Sequence, residues 1–168
     1  ARPDSLASFH PGSVNDEALI VYTSGTTGPP KGVVLTVGNL LVDAHGIAEW
    51  HGLGKGNCLM CVLPIHHVNG IVVTLLTPFY GKGASVLNRR FRQSKFWSRI
   101  LDKGVTCVSV VPTILEFLLE GTPTPRKYHF DHLRGIICGA GPLLKDTAAR
   151  FEQQFHIPIH HGYGLSET

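Results

Sequence analysis

Hydroxyls, glycines and a lysine are concentrated in one short run near the N-terminal end of the chain. Residues 22–33 have the sequence YTSGTTGPPKGV. Glycines let backbone N–H groups curl around an anion because they lack a Cβ, the Ser and Thr hydroxyls add hydrogen-bond donors, and Lys31 adds a mobile positive charge. The run therefore has the groups needed to hold a polyphosphate, although the same residue types also form ordinary polar turns without a ligand.

The apolar segments on either side of this run predict two strands, over residues 18–22 and 32–35, and hence a hairpin. Lys31 follows Pro30 and precedes Gly32, so the pattern G-x-x-x-x-G-K-[ST] of the common nucleotide-binding loop is absent. A loop between two strands also lacks the helix N-terminus on which that loop binds phosphate. Any phosphate site here is consequently of a different type.

Three further polar segments each follow a predicted apolar strand. Short strands alternate with longer helices along the chain, which is typical of an α/β fold with a mostly parallel sheet. Ligands of such sheets bind beyond the carboxyl ends of the strands, where loops run into helices. We therefore expect the polar segments to meet at one edge of the sheet. They are residues 64–70, 139–142 and 162–168, after strands predicted over 58–63, 133–138 and 157–161.

The periodicity places one domain over residues 16–168, preceded by a linker or loose end over residues 1–15. No internal repeat or low-complexity tract interrupts this domain. The other predicted elements are strands over 84–87 and 105–111, and helices over 37–50, 68–77, 93–102, from 112 onward, and over 143–155.

The composition argues against several classes of protein. Hydrophobic residues make up 43% and charged residues 16% of the 168 residues, as in folded globular proteins. The net charge of +3 comes without a long Lys/Arg cluster, which argues against nucleic-acid binding. No apolar run approaches the roughly 18 residues of a membrane span, and no signal-peptide pattern is present. We expect a cytoplasmic protein.

The four cysteines include a C-x-x-C pair, Cys58 and Cys61. On a strand these two side chains point to opposite faces, so they cannot bind one metal ion together. With Cys107 and Cys138 they are expected to be buried, reduced thiols.

The motifs, in their order along the chain, resemble those of the adenylate-forming (AMP-binding) enzyme superfamily. That group contains acyl-CoA synthetases, the adenylation domains of peptide synthetases, and beetle luciferases. Residues 22–33 are similar to its phosphate loop, and Gly162–Thr168 to its Tyr-Gly-x-Thr-Glu motif, with Ser166 in place of Thr. The resemblance covers about residues 14–168. It implies a partial N-terminal domain of an acyl-CoA synthetase-like enzyme, without the family's small C-terminal lid domain, and therefore poorly active alone.

The resemblance also implies a reaction and its site residues. ATP would activate a carboxylic acid as an acyl-adenylate, with release of pyrophosphate, and the acyl group would pass to a thiol such as CoA. Glu167 would bind Mg²⁺, His67 would orient the acid, and Lys31 would act at the phosphates with Ser166 near them. The phosphate loop would comprise Thr23, Ser24, Gly25, Thr26, Thr27, Gly28 and Lys31, and the adenine site Gly139, Ala140, Gly141, Tyr163 and Gly164.

Taken alone, the adenine-site segments have simpler explanations. Residues 139–142 fit a tight strand-to-helix turn, and residues 162–168 fit a glycine-rich turn with a surface glutamate.

Residues 64–70 resemble the Pro-Leu-x-His-x-x-Gly segment of acyl- and aryl-CoA ligases. Domains that activate amino acids place an aspartate near here, and residues 63–70 contain no carboxylate. This favours a simple acyl or aryl acid, with fatty acid metabolism as the expected setting. An amino-acid adenylation domain and a non-catalytic nucleotide-binding fragment remain alternatives.

Overall fold

A parallel sheet and a separate antiparallel hairpin form the framework of the chain. The structure is a computed structural model and describes residues 12–23, 28–121 and 130–168. The sheet has five strands in the order β4-β3-β5-β6-β7, all paired in parallel, and the hairpin pairs β1 with β2. This confirms the predicted α/β fold. The strands are β1 Glu17–Thr23, β2 Lys31–Thr36, β3 Cys58–Cys61, β4 Ala84–Leu87, β5 Cys107–Val110, β6 Gly135–Cys138 and β7 Ile159–His161.

Helices connect the strands of the sheet. They are α1 Val37–Trp50, a π-helix Asn69–Leu76, α2 Thr77–Tyr80, α3 Gln93–Asp102, α4 Pro112–Gly121 and α5 Lys145–Phe155. None of the helices in the described ranges is long and apolar enough to cross a membrane.

The hairpin has the predicted strands, each slightly longer than expected. Thr23 pairs with Lys31, and the Thr23 hydroxyl donates to the Lys31 carbonyl at 3.4 Å. Burial alternates along both strands, so the ribbon has one covered and one exposed face. Val21 and Leu35 are buried on the covered face, whereas Ile20, Tyr22 and Val34 are exposed on the other. The predicted phosphate-loop residues 24–27 lie outside the described residues.

Helix α1 follows β2 directly and has the predicted bounds. Its start is fixed by a capping box in which Thr36 accepts from the Asn39 backbone N–H and Asn39 accepts from the Thr36 N–H. The chain leaves the helix through Gly52, whose φ of +57° is a left-handed conformation that glycine adopts without strain.

Helices cover both faces of the sheet. Neighbouring residues of a strand point to opposite faces, so the apolar strands contribute side chains to a core on each side. Leu59 and Ile137 pack with Ala48 on the side of α1 and the π-helix. The opposite face carries the larger cluster, in which Met60 and Ile136 pack with side chains of α3, α4 and α5. Aromatic residues Phe96, Trp97, Phe151 and Phe155 fill the space beneath these three helices.

The segment predicted as a helix over 68–77 differs from the expectation. It is a π-helix that continues as the short helix α2, with Pro78 in the first turn of α2 and Gly81 at its end. Two threonine hydroxyls bond back to the backbone, Thr74 to the Gly70 carbonyl at 2.6 Å and Thr77 to the Val72 carbonyl at 3.0 Å. Hydroxyl groups that compete for backbone carbonyls in this way distort regular helices.

Several strands are shorter than predicted, and α5 begins two residues later. Val62 and Leu63 are buried beyond the end of β3, but Asn88 takes up the Cys61 carbonyl there and the ladder stops. The apolar pattern therefore predicted which residues are buried, and the buried segments are longer than the segments paired in the sheet.

The expectation of four buried cysteines needs one correction. Cys61, Cys107 and Cys138 are buried, whereas Cys58 is half-buried, and all four are free thiols. Burial raises the pKa of the Cys107 and Cys138 thiols to about 11, so both are protonated at neutral pH. Within the described ranges, no three His, Cys, Asp or Glu side chains are grouped closely enough to hold a metal ion.

Candidate active site

Loops from separate parts of the sequence line one cavity of about 200 Å³ at the carboxyl edge of the sheet. The loops after β6 and β7, the start of the π-helix and one side of α1 contribute to it. This confirms the predicted convergence of the three polar segments, and we call the space the loop cavity. Its lining residues are Asp43, Ile47, His51, Val68, Asn69, Val73, Ile137, Gly139, Ala140, Gly162, Tyr163, Gly164, Leu165 and Thr168.

The loops after β6 and β7 are packed closely against each other. The Gly162 N–H donates to the Cys138 carbonyl at 2.8 Å. A Cβ added to Gly139 would lie 3.3 Å from the Gly162 carbonyl oxygen, a tight contact that would require the two loops to move apart by a few tenths of an ångström. Ala140 has a φ of +59°, a left-handed conformation that is uncommon for residues other than glycine. Gly141 does not line the cavity and lies near Pro112 instead.

Tyr163 presents a free aromatic ring at the mouth of the loop cavity. Its side chain is 92% exposed. The turn after it is held by Thr168, whose hydroxyl accepts from the Leu165 N–H at 3.0 Å. An exposed ring on a held backbone offers a flat apolar surface on which a heterocycle can stack.

Asn69 is a polar lining residue that the sequence analysis did not single out. Ser109, fully buried in β5, donates from its hydroxyl to the Asn69 Oδ1 at 2.6 Å. The amide is thereby oriented with its Nδ2 toward Gly139, 3.6 Å from the position of a Cβ there. An amide nitrogen is a donor, so Asn69 presents a fixed hydrogen-bond donor to the cavity. The sequence signals for this pair were Asn69 at the start of an apolar run and Ser109 inside an apolar strand.

Asp43 was also missed. It lies on one stripe of α1 with Ile47, and the stripe continues to His51 at the C-cap; all three residues line the loop cavity. Burial raises the pKa of the Asp43 carboxyl. Burial lowers the pKa of His51, and the charges of His160 and Arg134 lower it further, so His51 is neutral at pH 7.

A second cavity of about 330 Å³ adjoins the first on the side of the hairpin, and we call it the hairpin cavity. Ser166 and Glu167 line it, together with Leu35 at the end of β2 and Asn39 in the first turn of α1. The two cavities share residues Asp43, Val68 and Thr168. The predicted adenine and magnesium residues are therefore placed side by side.

The structure does not bring all the predicted residues together. Lys31 and Gly28 are exposed near the tip of the hairpin and line neither cavity. Lys31 is five residues from Thr36, or about 17 Å along an extended strand. His67 is exposed two residues before Asn69 and also lines neither cavity. Its ring contacts that of His66 in a tilted arrangement, with centroids 4.3 Å apart.

Comparison with known proteins places the chain in a family. Residues 3–168 match the model of the AMP-binding enzyme family. The chain is 34% identical over its full length to sulfoacetate–CoA ligase of Cupriavidus necator and covers 32% of that protein. It is 31% identical over 94% of its length to 2-succinylbenzoate–CoA ligase of Enterococcus faecalis, again covering 32%. The chain thus spans about a third of the length of these curated relatives.

Solved structures share the fold. ATP-bound MatB from Rhodopseudomonas palustris superposes with a TM-score of 0.85 at 29% identity, over 94% of this chain and 31% of that one. O-succinylbenzoate CoA synthetase (MenE) from Bacillus subtilis, in complex with ATP and magnesium ion, gives 0.82 at 31% identity, over 92% and 31%. The chain therefore belongs to the AMP-binding enzyme family.

Proposed function

We propose that this chain forms the ATP- and acid-binding part of a ligase that activates a carboxylic acid as an acyl-adenylate and passes it to CoA. The observation that carries this proposal is the convergence of the loops after β6 and β7 with the start of the π-helix on one cavity. The CoA-ligase relatives give the reaction.

The adenine would bind at the mouth of the loop cavity. Tyr163 offers its exposed ring for stacking, and Gly139, Ala140 and Gly164 leave room for the base to approach the backbone. Gly141 would act indirectly, through the turn that leads toward α5.

The phosphates would extend toward the hairpin cavity. Glu167 is an exposed carboxylate beside Ser166, a donor set that suits a hard cation such as Mg²⁺. When bound, Mg²⁺ would offset the negative charge of the phosphates. Lys31, Thr23 and Gly28, with residues 24–27, would contact the phosphates from the hairpin.

The acid would lie in the loop cavity with its carboxylate directed at the α-phosphate. A carboxylate oxygen attacks the α-phosphorus, the new O–P bond forms in line, and pyrophosphate leaves. Asn69, whose amide is fixed by Ser109, would donate to the acid, and His67 at the nearby rim would help to orient it.

The class of acid follows from the residues at the rim of the loop cavity. Residues 63–70 contain no carboxylate that could bind the ammonium group of an amino acid. We therefore propose a simple acyl or aryl acid, with fatty acid metabolism as one setting. A cytoplasmic location is proposed on the resemblance to acyl-CoA synthetases.

The test is pyrophosphate exchange by the complete gene product with panels of short-chain, aryl and amino acids. Lys31→Ala and Glu167→Gln should each lower exchange by roughly tenfold or more, because each removes charge stabilisation at the phosphates. Lys55→Ala and Glu120→Gln, at exposed positions away from both cavities, are the matched controls. Exchange that only amino acids support would favour a peptide-synthetase domain.

The alternative of a non-catalytic nucleotide-binding protein is separated by a binding measurement. Calorimetric titration of Mg·ATP, with Glu167→Ala as control, should show saturable binding that the substitution weakens. Binding without exchange for any acid would contradict the ligase assignment.

A further inference from the structure

Asp43 carries a carboxyl group into the wall of the proposed acid site. It projects from α1 between the loop cavity and the hairpin cavity and is half-buried. Burial alone raises the pKa of this carboxyl, without a hydrogen bond or charge acting on it. Among the described residues, none donates a hydrogen bond to Asp43 or forms an ion pair with it. A carboxylate in this position is an acceptor without a partner.

No positively charged side chain lines the described part of the loop cavity to offset the negative charge of Asp43. No lysine or arginine is among its lining residues in the described ranges. His51 lies one helical turn beyond Ile47 and is neutral at pH 7. Arg134 is directed elsewhere, since its guanidinium donates to the carbonyls of Gly52 and His51 at 2.7 and 3.0 Å. The wall of the cavity formed by this chain is therefore negative at neutral pH.

We propose that Asp43 determines which acids are activated: it accepts a hydrogen bond from a hydroxyl or ammonium group remote from the reacting carboxylate, and it excludes acids with a second anionic group. This inference rests on the proposed function. A hydroxyl or ammonium donor supplies the partner that Asp43 lacks. Asp43 is thus a specificity residue, and it takes no part in the transfer itself.

The size of the exclusion follows from charge separation within so small a site. A second anion about 6 Å from the Asp43 carboxylate, at an effective dielectric constant of about 20, is disfavoured by roughly a hundredfold. Sulfoacetate and 2-succinylbenzoate, which give two relatives their names, both carry a second anionic group. We expect this chain's enzyme to differ from those two relatives in its substrate.

The experiment compares matched acids in the complete gene product. The probes are benzoate, its 3- and 4-hydroxy derivatives, the corresponding benzene dicarboxylates, and sulfoacetate, each assayed by pyrophosphate exchange for kcat/KM. The wild-type enzyme should prefer a hydroxybenzoate to benzoate and should accept the dianions poorly. Asp43→Asn keeps the side-chain size and removes the charge, so it should raise kcat/KM for the dianions at least tenfold while changing that for benzoate by less than about twofold.

Controls separate this inference from the proposed function. Asp102→Asn, at the exposed end of α3, should leave the acid preference unchanged. Asp43→Ser is a second variant that, like Asp43→Asn, removes the negative charge. Exchange with benzoate, but with the same preference in both Asp43 variants, would overturn the inference and leave the proposed function standing. Exchange with no acid would refute both. An equal loss for all acids, restored by raised Mg²⁺, would make Asp43 a cation ligand beside Glu167 and overturn acid selection.

Discussion

Gly70, which follows the cavity-lining residue Asn69, is expected to tolerate substitution poorly. It is buried at the start of the π-helix, where the chain returns against Pro64. A Cβ at Gly70 would lie 2.3 Å from the Pro64 carbonyl oxygen and 2.8 Å from its carbonyl carbon. Both atoms belong to the backbone, so no side-chain rotation can relieve the contact. The loop between β3 and the π-helix would have to move.

Gly46→Ala is the matched control. Gly46 lies inside α1 at an exposed position, and a Cβ there would meet no atom within 4 Å. Both substitutions replace a helical glycine with alanine, so their effects on the unfolded chain are similar and largely cancel. Gly46→Ala should stabilise the fold by about 0.5–1 kcal/mol. Gly70→Ala should destabilise it by about 2–3 kcal/mol, the cost of forcing a methyl group into packed backbone.

The assay is thermal and urea unfolding of the two variants and the parent chain. A difference of about 3 kcal/mol corresponds to melting temperatures about 6–12 °C apart for a chain of this size. Because Asn69 adjoins Gly70, Gly70→Ala should also lower pyrophosphate exchange by the complete gene product at temperatures where it remains folded. Equal melting temperatures for the two variants would refute the close return of the chain against Pro64.

Two further predictions concern the polar groups of the loop cavity. Ser109→Ala leaves the Asn69 Oδ1 without its donor, so it should lower the stability by about 1–2 kcal/mol and raise the KM for the acid. Ser94→Ala, at an exposed position of α3, is the control. An unchanged KM in Ser109→Ala would contradict the proposed role of Asn69. Asp43→Asn should stabilise the chain at pH 7. The raised pKa of Asp43 means that wild-type stability increases as the pH falls through the folded-state value, so the advantage of the variant should vanish near pH 3, as urea unfolding at both pH values would show.

The sequence predicted the elements best where local signals were strong. Helix α1 has the predicted bounds because Thr36 and Asn39 form a capping box just ahead of an apolar stripe. The strand ends were overestimated because residues such as Leu63 and Val105 are buried without being paired in the sheet. The apolar run predicted a helix and gave no sign of its π-helical geometry. That geometry occurs together with hydrogen bonds from the Thr74 and Thr77 hydroxyls to backbone carbonyls.

The loops of the candidate site were predictable because carboxyl ends of parallel strands lie at one edge of a sheet. The individual polar groups were less so. Asn69 gained its orientation from Ser109, a residue 40 positions away in the sequence. Asp43 lies on α1, and its stripe of that helix becomes a cavity wall only when the loop near Tyr163 folds against it.

The unpaired carboxyl of Asp43 is the clearest conflict between stability and site chemistry in the described part of the chain. Partial burial of a carboxylate without a partner disfavours folding, and an asparagine would avoid that penalty at the same size. Conflicts of this kind are expected where a residue serves a ligand, because selection for function then outweighs the local loss of stability. The same substitution, Asp43→Asn, should therefore increase stability and weaken acid discrimination. Finding both effects in one variant would show that the carboxylate that lowers stability is the same group that discriminates between acids.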